Sequence, residues 1–525
     1  MAQTGPLAAT HPPSRPRVAG VTLPLFSIRT RRDWGIGQIT DLPACAAWIL
    51  TAGHKLLQIL PAYELAAGET SPYGARTAFG IDPIYIDVEA IPDLDAGSLH
   101  GALGEDGLFL IERLRQSPRV EYAAVRRLKE TALHAAFEGF VTKEWQKNTD
   151  RARSLRSFIE AERAWEDDLA LYVALRERRG GWSWEKWPDP EKHRDPGAMA
   201  EAKTQLATRI LEHQYGQWIA HEQWQAARRE VNALGVELMG DVPFIVGHES
   251  ADVWARAWQF RRDVSLGAPP DAFSEDGQEW GLPAFDWAAM DKDDLDWLRR
   301  RTRRAATLYD RFRLDHVVGY FRMYVKHMGD KKGVFDPKDE PDQLARGTRV
   351  LSTFQHEAGK TRVIAEDLGV IPPFVRKALD GLGLPGYRVL PWENDAGRFR
   401  DPRGFPTSSV ATWSTHDTAP IVTWWDELPE QDRAQLADFA GIAPDASPDE
   451  RWLPLLRLLF ASSSELTLVL ASEILGRGDR INTPATVGEA NWTYRLPMPL
   501  EDLAKDPGVV GRMNALRQAA EEHGR

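Results

Sequence analysis

Short runs of aliphatic and β-branched residues, each bounded by Gly, Pro or polar positions, recur along the chain. They are Val21 to Leu25, Lys55 to Leu60, Val236 to Ile245, Phe312 to Leu314, Arg362 to Ala365, Tyr387 to Leu390, Ser409 to Trp413 and Thr467 to Leu470. Between most of them the apolar spacing changes from strand-like to helical, as in Asp41 to Ala52, Pro373 to Leu382 and Pro429 to Ala440. Strands alternating with helices predict βα units around a parallel sheet, and eight units predict a closed (β/α)8 TIM barrel, class α/β. A doubly wound open sheet is the alternative. It lacks its usual signature, because Gly35-Ile-Gly37 has no third glycine to complete a dinucleotide-binding turn.

Two intervals exceed ordinary βα loops. Residues 63–232 read as a largely helical insertion, with helical spacing in Tyr122 to Phe140 and Leu155 to Arg178. Residues 247–300 read as a Pro-, Trp- and Asp-rich excursion with few periodic runs. Residues 1–62 then comprise a leader and the start of the barrel, and 233–525 the remainder of the catalytic barrel. Both long intervals leave from strand ends on the face where barrel enzymes place their reactive loops.

Composition narrows the function. The balance of 43% hydrophobic and 27% charged residues is that of a soluble globular protein, and no apolar stretch approaches the ~18 residues that a membrane span needs. The segment Leu466 to Leu475 reads instead as a buried strand running into a helix. The first twenty residues carry Pro, Arg and Thr where a secretory signal has an apolar core, so a cytoplasmic location is expected and a disordered leader with it. The single Cys45 excludes an internal disulfide and a thiolate zinc cage. A net charge of −12 opposes nucleic acid as a ligand and favours a neutral one. Twenty tryptophans, many beside polar groups, offer faces that suit sugar rings, although core packing accounts for most tryptophans in proteins.

The candidate chemistry sits at strand ends. Four runs terminate in carboxylates: Asp241 in GDVPFIV, Asp315 in RFRLDH, Glu366-Asp367 in IAEDLG and Asp417 in STHD. Several carboxylates on one rim require compensation. Arg313, two residues before Asp315 and therefore on the same strand face, supplies a cation, and His316 and His416 supply donors. Such a cluster, without a phosphate cradle or a Cys nucleophile, leaves hard-metal binding and glycosyl transfer. The tryptophans favour sugar. His213 and His221, eight apart on a helical pattern, offer no identifiable acidic partner, so no metal site and no cofactor is assigned.

The strings RFRLDH, IAEDLG and STHD, in that order, resemble the acidic blocks of the α-amylase clan, and their surroundings resemble glycoside hydrolase family 77, the 4-α-glucanotransferases or amylomaltases. The resemblance runs through most of the chain, from GVTLPLFSIRTRRDWGIGQITDL and SPYGARTAFGIDPIYI to APPDAFSEDGQEWGLPAFDW, LPGYRVLPWE and RINTPATVGEANWTYRLP. It implies a retaining transferase that moves α-1,4-glucan segments to the 4-hydroxyl of glucose or another glucan. Asp315 would be the nucleophile, Glu366 the general acid/base and Asp417 the transition-state stabiliser with His416. Arg313 would keep Asp315 ionised, and His316 would be a further substrate-side donor. Asp241 and Tyr73 would line the donor site, and Trp254, Gly277 and Gln278 would cover bound glucan. The implied partners are maltooligosaccharides and starch- or glycogen-derived glucans, with no nucleic acid or membrane. Thr418 in place of Asn, Ile81-Asp82 before Pro83, and Tyr387 in place of Met depart from the common pattern and bear on specificity. A hydrolase of the same bonds and a catalytically silent glucan binder are the alternatives.

Overall fold

The computed structural model describes residues 16–66, 68–270, 277–327, 330, 332–395, 397–484, 486 and 488–525. The expected leader falls mostly outside them.

All eight apolar runs become the strands of one closed parallel barrel: β1 (Val18–Thr22), β2 (Leu56–Gln58), β3 (Glu237–Val242), β4 (Arg311–Leu314), β5 (Arg362–Ala365), β6 (Gly386–Val389), β7 (Ser409–Thr412) and β8 (Leu466–Leu470). Each pairs with the next in sequence and β8 closes on β1. Closure removes the open sheet from consideration. The one displaced prediction is the first strand. Its apolar run continues to Leu25, but Pro24 turns the backbone into a 3-10 turn at Leu25–Ser27, so the strand occupies the preceding residues instead.

Alternation along the strands sorts two cores. Inward residues Leu56, Met239, Ile364, Val410, Leu466 and Leu468 fill the barrel axis, with Tyr387 above them. Outward residues such as Leu57, Leu238, Phe312, Leu314, Val363 and Val469 pack against the surrounding helices. The barrel's lower end is tied by Arg362–Glu465 at 2.6 Å and Arg311–Glu237 at 2.6 Å. The upper, C-terminal end carries polar groups.

Between β2 and β3 the chain forms long helices, including Tyr122–Phe140, Asp150–Arg178 and Ala207–Ala233. The expectation of few periodic runs in 247–300 meets a different arrangement. Strand Val264–Ala268 pairs with Gln278–Glu279 and with Met323–His327, and the helix Asp296–Leu308 begins within the interval. That helix, DWLRRRTRRAATL, buries Trp297, Leu298, Ala305 and Leu308 on one face together with Arg301 and Arg304, which donate to the carbonyls of Phe244 (2.9 Å) and Phe79 (3.1 Å).

His213 is likewise corrected. It is buried between Glu64 (3.1 Å) and Glu166 (3.3 Å), acidic partners brought from distant sequence, and these carboxylates raise its pKa to about 9 against the effect of burial. His221 instead faces the Arg304 guanidinium at 3.1 Å.

Gly240 on β3 permits the close approach of Tyr309, since a Cβ there would lie 2.3 Å from the Tyr309 ring. Gly240→Ala is therefore expected to destabilise the protein by about 1–3 kcal/mol through overpacking, read as a lowered thermal unfolding midpoint; an unchanged midpoint would show that the ring moves freely.

Candidate active site

The β3–β4 register places Asp241 directly beside Arg313, and the next inward residue of the β4 edge is Asp315. Arg313 Nη1 donates to both Asp241 oxygens at 2.7 and 2.8 Å and lies 2.9 Å from Asp315 Oδ1, while Nη2 is 3.8 Å from Glu366 Oε2. One guanidinium thus holds three strand-end carboxylates. Burial alone would lower its pKa, but Asp241 and Asp315 outweigh that and raise it.

Glu366 leaves β5, the neighbour of β4, so it emerges beside Asp315. Adjacent strands lie about 4.8 Å apart, close to the ~5–5.5 Å separation of the two carboxyls in retaining glycosidases. Its two oxygens accept the backbone N–H groups of His316 (2.7 Å) and Leu368 (2.8 Å). His316 reaches that position in the left-handed region, φ 47°, a conformation costly for a side-chain-bearing residue and held here by that hydrogen bond and by the edges of Phe244 and Trp280. Burial pushes the Glu366 carboxyl up; Arg313 opposes and Asp315 adds to the rise, leaving it at about 8. Burial also lowers the His316 imidazole to about 4.

Asp417 follows β7 on a turn closed by Thr418 Oγ1, which accepts from the Thr415 N–H at 2.8 Å. Its oxygens meet His416 Nε2 at 3.1 Å and Asn482 Nδ2 at 2.7 Å. Burial would raise this carboxyl, but His416, the Asn482 hydrogen bond and Arg313 hold it at about 2. Tyr73 arrives on the loop after β2, which is folded back by the Leu65–Ala75 and Tyr63–Ile81 bridges. Its hydroxyl donates to Asp241 at 2.7 Å and meets His416 Nε2 at 3.0 Å, and its ring stacks on His416.

These groups surround a cavity of about 240 Å³ lined by Arg313, Asp315, His316, Glu366, His416 and Asp417, with Trp280 and the half-exposed Trp392 at its mouth. The floor is polar: Thr22 Oγ1 donates to Gln58 Oε1 at 2.7 Å, and Gln58 Nε2 donates to the Tyr387 hydroxyl at 3.1 Å.

Two expected positions differ. Asp241 is fully buried behind Arg313, because cross-strand pairing aims it at the guanidinium, while Tyr73 beside it is part-exposed and stacked on His416. Trp254 is removed from the cavity altogether: its indole is 1% exposed, enclosed by Tyr172, Trp187 and Arg194, and donates to the Glu191 carbonyl, so it presents no face to a sugar. Gly277, at φ 78°, and Gln278 act one step away. Gln278 pairs with Ala268 and accepts from Trp280 Nε1 at 3.1 Å, steadying the tryptophan that does reach the cavity. The residues preceding Gly277, 271–276, lie outside the described set.

Sequence reasoning missed Asn482, Trp280, Gln58 and Thr22 as site residues. Trp280, Asn482 and Thr22 each carried a signal, lying within APPDAFSEDGQEWGLPAFDW, RINTPATVGEANWTYRLP and GVTLPLFSIRTRRDWGIGQITDL, but none was singled out as a site residue. Asp367 is structural: it accepts from the Tyr387 N–H at 2.6 Å and pairs with Arg388 at 3.1 Å, fixing the start of β6.

A (β/α)8 barrel whose C-terminal rim gathers a buried carboxyl of raised pKa, two further acidic side chains and aromatic walls around a sugar-sized cavity defines a carbohydrate-active enzyme of the two-carboxylate type. The family model for glycoside hydrolase family 77, 4-alpha-glucanotransferase, matches residues 23–501, and the chain belongs to that family. The 4-alpha-glucanotransferase of Thermus thermophilus is 31% identical over 485 residues, covering 90% of this chain and 92% of the relative. That of Chlamydia muridarum is 30% identical over 500 residues, covering 92% of each. Among solved structures, the amylomaltase of Streptococcus agalactiae in complex with acarbose superposes with a TM-score of 0.83 at 25% identity, over 97% of this chain and 99% of that one.

The shared guanidinium generates a stability prediction. Arg313→Met leaves Asp241 buried without its cation and is expected to cost about 3–5 kcal/mol, seen as a large drop in melting temperature. Adding Asp241→Asn should recover a good part of it. No recovery would place the loss elsewhere than in the stranded charge.

Proposed function

We propose that this protein is a retaining 4-α-glucanotransferase that disproportionates maltooligosaccharides and related α-1,4-glucans through Asp315, Glu366 and Asp417. The observation that carries the reading is the divergence of the carboxyls: burial holds a proton on Glu366 up to about pH 8, Asp417 is held ionised down to about 2, and Asp315 rests on Arg313 at 2.9 Å. Family membership supports the same activity, and the acarbose bound to the Streptococcus amylomaltase supports a glucan-like ligand.

In the first half-reaction Glu366 gives its proton to the glycosidic oxygen while an Asp315 oxygen attacks the anomeric carbon; the C–O bond to the leaving glucan breaks and a β-glycosyl ester forms. Asp417, fixed by Asn482 and His416, faces the positive charge that develops on the sugar. In the second half-reaction the Glu366 carboxylate removes the proton from an acceptor 4-hydroxyl, whose oxygen attacks the anomeric carbon and releases Asp315. Both steps invert, so the α configuration is retained. Trp280 and Trp392 at the cavity mouth supply apolar faces for the incoming sugar, which then competes with water.

Incubation with maltotriose should give glucose and a ladder of longer maltodextrins, and Asp315→Asn should slow this by at least about a thousandfold. Glucose and maltose without longer chains would instead establish hydrolysis, and an unchanged trisaccharide a silent binder.

The pH dependence follows from the sign of the Glu366 shift. A carboxyl raised from its ordinary value to about 8 is protonated through neutrality, so kcat/KM should hold to about pH 8 and then fall with rising pH as the acid form is lost. A rate independent of pH up to 10 would remove Glu366 from the acid role.

A further inference from the structure

A second cavity, of about 440 Å³, is lined by the segment carrying Arg480 and Asn482, and both of these side chains contact Asp417. Five guanidiniums line it, those of Arg29, Arg119, Arg477, Arg480 and Arg495, and Asp479 is the one carboxylate among its described lining residues. In a chain of net charge −12 this is a pronounced local reversal of sign.

The cations are only partly compensated. Arg477 pairs with Asp479 at 2.5 Å, and Arg495 with Asp33 at 2.7 Å. Arg29 donates to the Pro497 and Arg115 carbonyls, Arg119 to the Ala490 carbonyl and the Thr493 hydroxyl, and Arg480 to the Asp417 carbonyl at 3.2 Å. Among the described residues none of these last three has a carboxylate within ion-pair distance. Arg29 and Arg495 are 8% and 2% exposed with their Nη donors committed to carbonyls and to Asp33, so these two act on the cavity through their charge, and Arg119, Arg477 and Arg480 are the guanidiniums placed to reach a ligand. Several cations with so little counter-charge beside them favour an anion in the space they share.

We propose that this cavity is an anion site for a phosphate monoester of sugar size, and that its occupation slows the transfer reaction. Forked guanidiniums match phosphate oxygens two at a time, and the volume falls in the range of small-molecule sites and exceeds the needs of a bare phosphate. The coupling route is short. Arg480 holds the Asp417 carbonyl, and Asn482 holds both the Asp417 carboxylate at 2.7 Å and, through its N–H, the His416 carbonyl at 3.0 Å. An anion that recruits Arg480 withdraws one of the bonds that fix Asp417. The kinetic consequence rests on the function proposed above; the binding itself does not.

The test is calorimetric titration of the full-length protein, at constant ionic strength, with glucose 6-phosphate, glucose 1-phosphate, inorganic phosphate and, as a neutral control, glucose. Saturable binding of the sugar phosphates above that of phosphate assigns a phosphorylated sugar; equal binding of inorganic phosphate assigns the anion alone. In either case Arg119→Gln and Arg477→Gln should weaken binding by about tenfold, and Asp479→Asn, which removes the competing carboxylate, should tighten it, an effect that misfolding cannot imitate. Maltotriose turnover should fall by about fivefold at saturation. Absence of anion binding, equal binding of glucose, or indifference to all three substitutions overturns the proposal. Binding that follows the pattern in a protein inactive on maltotriose would leave the site standing and sink the catalytic reading.

Discussion

The buried guanidinium of Arg313 is the interaction on which the catalytic rim depends. Strand ends of a parallel barrel converge, so carboxylates placed on three neighbouring ends would repel one another in a poorly hydrated space. A single cation reaching Asp241, Asp315 and Glu366 at 2.7, 2.9 and 3.8 Å makes the convergence tolerable. It acts unequally. Asp241 and Asp315 take its close contacts, while Glu366, farther away, is buried with less compensation and its carboxyl is pushed up to about 8.

Around that centre the structure is arranged in shells. Asp241 does not face the substrate space; it anchors the back of Arg313 and is itself capped by the Tyr73 hydroxyl, which also touches His416. Tyr73 therefore links the β3–β4 half of the rim to the β7 half, and its loop is folded back on itself by the Tyr63–Ile81 and Leu65–Ala75 bridges. His316 performs a similar linkage by its backbone, since the left-handed turn that aims its N–H at Glu366 also sets its ring against Trp280. The excursion after β3 contributes to the site through this tryptophan, while Trp254, in the same excursion, serves only its packing.

The barrel was legible because each strand is short, apolar and separated by polar turns, and because strand alternation alone puts Arg313 and Asp315 on one face. The three acidic blocks were legible for the same reason. What escaped were contacts whose partners lie far apart in the chain. Asn482 is 65 residues beyond Asp417, and His213 meets Glu64 across 149 residues. In the helix Asp296–Leu308 the apolar positions Trp297, Leu298, Ala305 and Leu308 do share a face, and what the pattern leaves out is that Arg301 and Arg304 join it, satisfied by carbonyls. Trp254 was misplaced because a position within the excursion does not distinguish a tryptophan that meets a sugar from one that donates to a buried carbonyl.

The polar floor of the cavity bears on the positions where this sequence leaves the common family pattern. Tyr387, where many members carry Met, accepts a hydrogen bond from the Gln58 amide, which in turn accepts one from Thr22. Because the amide N–H must donate, the Tyr387 proton is directed away from Gln58. A methionine at this position would offer neither the acceptor nor the donor, and the Gln58 amide, 5% exposed, would lose its partner. Tyr387 and Gln58 therefore form one hydrogen-bonded unit: replacing the first without the second would leave a buried amide N–H unsatisfied at the base of the site. Thr418 is accommodated differently, by closing the turn that carries Asp417, so this departure adjusts the backbone beneath a carboxylate without changing which groups face the sugar.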